Sequence, residues 1–220
     1  MVRRPLYLGE GVRDIGAVRE PRRVPCENEG DLPRLVRRIA EAIGVETRFG
    51  YAASTFRDIV AQGIARDGRA MRVGGKSKEL RDAVLYGLTY VSPTPSAVIA
   101  LLDARADEMV QLRRDVVDVL AQCRERAADV PVAIGIALHE VEIWMLADPQ
   151  ARAAAFGEAI GSLPLPDGPA EDIRDPKQLW ATFAGRVEVR GGMSLEAHHD
   201  ELRRAAWQSL RPATDRKSVV

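Results

Sequence analysis

Three apolar runs, each ending at acidic residues, constrain the fold of this chain more than any other feature. They occupy residues 5–11, 97–107 and 131–144, with the sequences PLYLGEG, AVIALLDARAD and PVAIGIALHEVEIW. Each run predicts a buried β-strand that carries a carboxylate just past its C-terminal end. Helical patterns separate the runs, and this alternation is typical of a mainly parallel sheet with helices on its faces. We therefore predict an α/β fold.

Apolar residues at helical spacing predict the elements that lie between these strands. The predicted helices cover residues 31–44, about 54–66, 76–88 and about 107–127, and a short strand is predicted near 70–73. Strands and helices therefore alternate along the predicted core.

The character of the sequence changes near residue 149. An Ala-rich helical segment is followed by a loop rich in Pro, Gly and Asp, and then by further helical patterns. We predict an α/β core over residues 1–150, a helical C-terminal extension packed on it over 151–212, and a disordered tail over 213–220.

Composition excludes several classes of protein. Acidic and basic residues number 32 each, so the net charge favours no polyanionic partner. Cys26 and Cys123 lack metal-like spacing and point to a reducing compartment rather than to a disulfide framework. No stretch approaches the roughly 18–20 apolar residues that span a bilayer. We expect a soluble cytoplasmic protein with no membrane partner.

Acidic residues follow all three predicted strands. They are Glu10, Asp103, Glu140 and Glu142. Ligands and catalytic groups of open α/β sheets lie in the crevice beyond the carboxyl ends of the strands. Several carboxylates at one such edge repel each other unless a cation or a proton lies between them. The sequence therefore predicts a divalent-metal site assembled from three strands.

The local contexts of these acids differ. Gly11 permits a tight turn that aims the carboxylate of Glu10, although a surface acid in a turn is an equal alternative. Asp103 is the first polar residue after an apolar run. Glu140 and Glu142 share one side if the backbone is still extended there.

Residues near these acids suggest further roles. Asp107 is either a second metal ligand or an acid at the start of a helix, where the helix dipole favours it. Arg13 and Arg105 are candidate contacts for substrate phosphates. The GGKS segment at 74–77 is not a phosphate-binding P-loop, because that motif requires glycine at the position of Ala70.

Five segments together resemble TOPRIM-fold proteins, the fold of topoisomerases, primases and overcoming-lysogenization-defect nucleases. The specific likeness is to a small bacterial TOPRIM-like family that is often paired with an ABC-type ATPase. It covers most of residues 5–185, and the Glu-x-Glu-x-Trp block is its most distinctive part. The matching segments are LGEGVRD, GGKSKELRDAVLYGL, VIALLDARADEMVQLRRDV, ALHEVEIWMLADPQARAAAF and DPKQLW.

The resemblance implies a TOPRIM-like core with a Mg²⁺ or Mn²⁺ site. Glu10 would be a general acid/base or a ligand, Asp103 a ligand, and Glu140 and Glu142 would complete the acidic patch. TOPRIM domains commonly carry Asp-x-Asp after the central strand, and here Arg105 replaces the second acid.

The first functional expectation is a metal-dependent phosphodiesterase, namely a nuclease of a mobile-element or anti-phage system. Nucleic acid, an ABC-type ATPase and a second copy of the chain are the partners considered. An alternative is a catalytically weak adaptor or sensor subunit of an ATPase complex, which Arg105 favours. A third interpretation is that arginines simply neutralise acids at the strand ends.

Overall fold

The protein is described by a computed structural model in two compact units, Met1–Ala137 and Leu138–Val220. The structure describes residues 4–16, 30–44, 51–67, 75–105, 107–138, 141–165, 173, 175–189 and 191–210. The domain boundaries predicted at residues 150 and 212 remain predictions. We treat each unit by itself.

The first unit is built on a four-stranded sheet. Its strands are β1 (Leu6–Gly9), β2 (Ala52–Thr55), β3 (Val98–Ala104) and β4 (Val132–Leu138). All strands are parallel, and their order is β2-β1-β3-β4. In register, Leu6 of β1 lies opposite Ala52 of β2 and opposite Val98 of β3. The predicted α/β class is therefore confirmed.

Both units contain helices, and those of the first unit flank the sheet. In the first unit they are α1 (Val12–Ile15), α2 (Asp31–Ala42), α3 (Phe56–Asp67), α4 (Lys76–Tyr90) and α5 (Met109–Arg126). In the second unit they are α6 (Val141–Ala147), α7 (Pro149–Phe156), α8 (Glu158–Gly161), α9 (Pro176–Ala184) and α10 (Leu195–Ser209). No helix of the described residues has both the length and the apolar character that crossing a membrane requires.

The core of the first unit joins the central strands to three helices. Leu6 and Leu8 of β1 are fully buried and pack in one cluster with side chains of α3, α4 and α5. Gly87 allows α4 to approach β1 closely, because a Cβ at this position would come within 2.7 Å of Leu6 Cδ2. This contact fixes α4, whose first residue contributes to the site described below.

Two predicted strands differ from the observed ones. The apolar run at 131–144 is not a strand throughout, because β4 ends at Leu138 and α6 begins at Val141. β4 lies at the sheet edge, where half-buried residues alternate with the exposed Ala133 and Gly135. The short strand β2 was not predicted, and the strand predicted near 70–73 lies outside the described residues.

The regular elements that the structure describes in the second unit beyond Leu138 are helices. The ring of Phe156 lies 4.8 Å from that of Trp180 and 5.4 Å from that of Phe183, measured between centroids. Asp148 is fully buried and caps α7 by accepting from the backbone N–H groups of Gln150 and Ala151.

Candidate functional site at the switch point of the sheet

The strand order places a topological switch point between β1 and β3. From β1 the chain moves to β2 on one side, and β3 lies on the other side. Ligands of doubly wound sheets bind in the crevice beyond the carboxyl ends of the strands at such a point. Glu10 directly follows β1, and Asp103 is the penultimate residue of β3. The candidate site therefore lies where this architecture provides a crevice.

The structure brings Glu10 and Asp103 together. The backbone N–H of Asp103 donates to Glu10 Oε1 over 3.2 Å. The turn after Glu10 is held by Asp14, whose Oδ2 accepts from the backbone N–H of Gly11 at 2.7 Å. A side chain at Gly9 would place its Cβ 2.6 Å from the Cβ of Asp14, so this glycine makes the tight turn sterically feasible.

Lys76 is the residue of the site that the sequence analysis missed. Its ammonium donates to the backbone carbonyl of Asp103, with an Nζ···O distance of 2.8 Å. The same Nζ lies 3.8 Å from Glu10 Oε1 and 3.7 Å from Glu108 Oε2. A protein cation therefore lies beside Glu10, one of the acids that were predicted to need one, and beside Glu108.

The position of Lys76 in its helix is a signal that could have revealed it. Lys76 is the first residue of α4, after the N-cap Gly75. A lysine in the first turn is opposed by the helix dipole, so it needs acidic partners nearby. Next to it, the Ser77 hydroxyl donates to the carboxylate of Asp115, which fixes the start of α4 against α5.

The electrostatics of Glu10 reflect competing influences. Burial raises the pKa of its carboxyl above the ordinary value of 4.5, and the acids Asp14 and Glu79 add to that effect. The charge of Lys76 and the hydrogen bond from Asp103 N–H act in the opposite direction without cancelling it. Glu10 is thus a carboxylate poised to take up a proton or a cation.

Glu108 shows the opposite behaviour. The backbone N–H of Arg105 donates to Glu108 Oε2 at 3.0 Å, and this bond is the main cause of a lowered pKa. The charges of Lys76 and Arg105 lower the pKa further. Glu108 is therefore held ionised at the rim of the site.

The three other predicted residues near this edge are placed differently. Arg105 is exposed directly after β3, and its charge acts on Glu108. Asp107 is exposed in the turn that precedes α5. The side chain of Arg13 lies outside the part of the chain that the structure describes.

Glu140 and Glu142 belong to the second unit, and Glu142 lies in a helix rather than in the extended backbone that was expected. Glu140 lies outside the described residues. Glu142 stands in the first turn of α6, is only 3 % exposed, and forms an ion pair with Arg203 of α10. The Arg203 guanidinium also lies 5.7 Å from the centroid of the Trp180 ring. The carboxylate of Glu142 is thus already neutralised by a protein cation.

The donor set at the switch point is compatible with a hard divalent cation, because it consists only of carboxylate oxygens. Glu10 supplies one such group, and its hydrogen bond to the backbone N–H of Asp103 makes the carboxylate of Asp103 the candidate for a second. Within the described ranges, no three His, Cys, Asp or Glu side chains converge as a metal-binding group. The described residues therefore offer part of a coordination shell.

Comparisons with protein-family models, with curated proteins and with solved structures find no match for this chain. The fold class and the candidate site therefore depend on the chain's own geometry. The resemblance to TOPRIM-fold proteins stays a prediction, and a parallel four-stranded sheet flanked by helices is compatible with it.

Replacing Glu10 with glutamine is expected to stabilise the metal-free protein at neutral pH. The amide oxygen still accepts from Asp103 N–H, whereas the partly desolvated charge is removed. Because the pKa of Glu10 is raised in the native state, its ionisation opposes folding. The gain is largest above the native pKa and vanishes as the pH falls below 4.5. It stays under about 1 kcal/mol, because solvent screens a side chain that is one-third exposed.

Thermal unfolding in EDTA between pH 4 and pH 8 measures this effect. Glu108→Gln is the matched control with the opposite sign, because the pKa of Glu108 is lowered in the native state. It should therefore lower the melting temperature at neutral pH. A lower melting temperature for Glu10→Gln as well would mean that the Lys76 ion pair outweighs the cost of burial.

Proposed function

We propose that the protein is a metal-dependent phosphodiesterase with a TOPRIM-like core, acting as a nuclease. The observation that carries this proposal is the direct hydrogen bond between Asp103 N–H and Glu10 at the switch point, beside the Lys76 ammonium. The resemblance described above suggests a mobile-element or anti-phage setting.

Glu10 and Asp103 would hold Mg²⁺ or Mn²⁺, and Asp107 is the candidate for a further carboxylate. When bound, such a cation activates water and stabilises the charge that develops on a phosphate. Lys76 stands at the N-terminus of α4, where an ammonium and the positive end of the helix dipole together attract phosphate oxygens. The alternative role of Glu10 is that of a general acid/base that exchanges a proton with water or with the leaving group, and a raised pKa suits that role.

The structure supports the predicted roles of the remaining site residues to different degrees. Arg13 and Arg105 stay predicted phosphate contacts, and Arg105 is exposed to solvent, where a substrate can reach it. Glu140 stays a predicted member of the acidic patch. Glu142 is the weaker candidate of the two, because Arg203 already neutralises it.

The second candidate function is an adaptor or sensor subunit of an ATPase complex. The position of Lys76 favours it, because this ammonium lies within 4 Å of Glu10 and Glu108 and offsets part of their negative charge without a metal. In that case the acids and Lys76 would form a permanent ionic cluster at the sheet edge.

Cleavage of supercoiled plasmid and of single-stranded RNA tests these two functions. The purified protein is incubated with Mg²⁺, with Mn²⁺ or with EDTA. A nuclease cuts at least one substrate only when the divalent metal is present. An absence of cutting in every condition, including after addition of a co-encoded ATPase, would contradict the nuclease and favour the adaptor.

A further inference from the structure

A groove between α4 and α5 offers a second site on the first unit. Its volume is about 340 Å³. Tyr86 and Tyr90 line it from α4, and Gln122 and Arg126 line it from α5. Binding pockets for small ligands have volumes of about 300–1,000 Å³. The groove is therefore large enough for one aromatic ring system with an attached anionic group.

The two tyrosines provide an aromatic surface. They are one helical turn apart, with ring centroids separated by 5.4 Å and planes inclined by 34°. Both side chains are half-buried, so each ring packs against the protein and leaves part of its surface in the groove. Flat aromatic surfaces of this kind stack with nucleic-acid bases of any sequence.

The charges in the groove favour an anion at its α5 side. Arg81 donates from Nε and Nη2 to Asp82 Oδ1 at 3.2 Å and 3.1 Å, so these two lining residues neutralise each other. Arg126 is exposed at the end of α5 and adds a positive charge to the lining. An arginine beside stacked tyrosines combines a phosphate contact with a base contact.

We propose that this groove binds a nucleotide unit, with its base against Tyr86 and Tyr90 and its phosphate at Arg126. Tyr86 lies ten residues after Lys76 on α4, which is about 15 Å along the helix axis. A single-stranded nucleic acid could therefore extend from the candidate active site into the groove. This extended binding mode rests on the proposed nuclease function.

Fluorescence anisotropy with a labelled single-stranded oligonucleotide of about 12 nucleotides tests the proposal in EDTA. Tyr86→Leu and Arg126→Ala should each weaken binding by about five- to tenfold, because one stacking or phosphate contact is lost. Arg124→Ala is the matched control, since Arg124 is exposed on the same helical turn but does not line the groove. It should bind like the wild type, and Tyr86→Phe should retain binding.

Competition with free AMP distinguishes a free nucleotide from a nucleic-acid strand as the ligand of the groove. Displacement of the oligonucleotide by AMP, with the same loss in Tyr86→Leu and Arg126→Ala, identifies a free nucleotide as the ligand. Displacement only by a second oligonucleotide identifies a strand. Wild-type affinity in both groove variants, or no binding of either probe, would overturn the proposal.

The binding assay and the cleavage assay can fail independently. Without divalent metal, the difference in binding between the wild type and the groove variants reports on the groove, because Lys76 and Arg105 are the same in all of them. Metal-dependent cleavage with unchanged binding in the groove variants would refute the groove and leave the nuclease. Groove-dependent binding by a protein that never cleaves would refute the nuclease and leave the groove.

Discussion

Asp103→Asn is expected to lower metal-dependent cleavage by a factor of about 1,000 or more, since a metal ligand contributes roughly 4 kcal/mol to transition-state stabilisation. The substitution removes one charge and one strong ligand for a hard cation. It preserves the backbone N–H that donates to Glu10, so the turn at the switch point stays in place. The loss should therefore occur without a loss of folding.

Two further variants sharpen this experiment. Glu125→Gln removes an exposed charge near the far end of α5 and should leave cleavage unchanged. Asp107→Asn tests the predicted third carboxylate, which is exposed in the turn before α5. Initial rates on plasmid at several Mg²⁺ concentrations are the measurement. Cleavage by Asp103→Asn at the rate of Glu125→Gln would remove Asp103 from the site.

Arg203→Met is expected to destabilise the protein by about 3–5 kcal/mol, because it leaves the buried carboxylate of Glu142 without a counter-ion. Both partners of this ion pair are largely shielded from solvent, with side-chain exposures of 12 % and 5 %. The methionine also gives up the cation contact with the Trp180 ring. The corresponding fall in melting temperature is roughly 10 °C for a chain of this length.

The controls for Arg203→Met separate lost charge from lost packing. Arg204→Met replaces an exposed neighbour on α10 and should change the melting temperature little. The double variant Glu142→Leu with Arg203→Met should recover most of the stability, because no buried charge remains. Equal melting temperatures for Arg203→Met and Arg204→Met would contradict the structural role of the ion pair.

The same ion pair decides how Glu142 is understood. If Glu142 supports the fold through Arg203, Glu142→Gln lowers the melting temperature. If Glu142 instead binds a metal, Glu142→Gln abolishes cleavage and leaves the melting temperature nearly unchanged. The two roles therefore produce opposite patterns in the two assays.

Long apolar runs made the central strands predictable. β1 and β3 lie at the middle of the sheet and carry Glu10 and Asp103 at their ends; β1 is buried along its length, and β3 is buried except at the half-buried Ile99 and Asp103. β2 escaped prediction because its residues are Ala52, Ala53, Ser54 and Thr55, which give little hydrophobic signal. The extent of β4 was overestimated because apolar residues continue from the strand into α6.

The candidate site was only partly predictable for a related reason. Strand-end acids are local patterns, so the meeting of Glu10 and Asp103 followed from the expected sheet. Lys76 reaches Asp103 across 27 residues of sequence, and only the packing of α4 on the sheet brings them together. The alternation of Glu140 and Glu142 suits a strand, whereas the chain forms a helix from Val141.

Thermal unfolding of the wild type and of Asp103→Asn, each in EDTA and in Mg²⁺, tests most directly whether the switch point is a divalent-metal site. At about 100 times the dissociation constant, a cation bound only by the native state adds about 2.7 kcal/mol. The wild type should then melt roughly 5–10 °C higher in Mg²⁺, and Asp103→Asn should show no such shift. Identical melting temperatures for the wild type in EDTA and in saturating Mg²⁺ or Mn²⁺ would contradict the metal site.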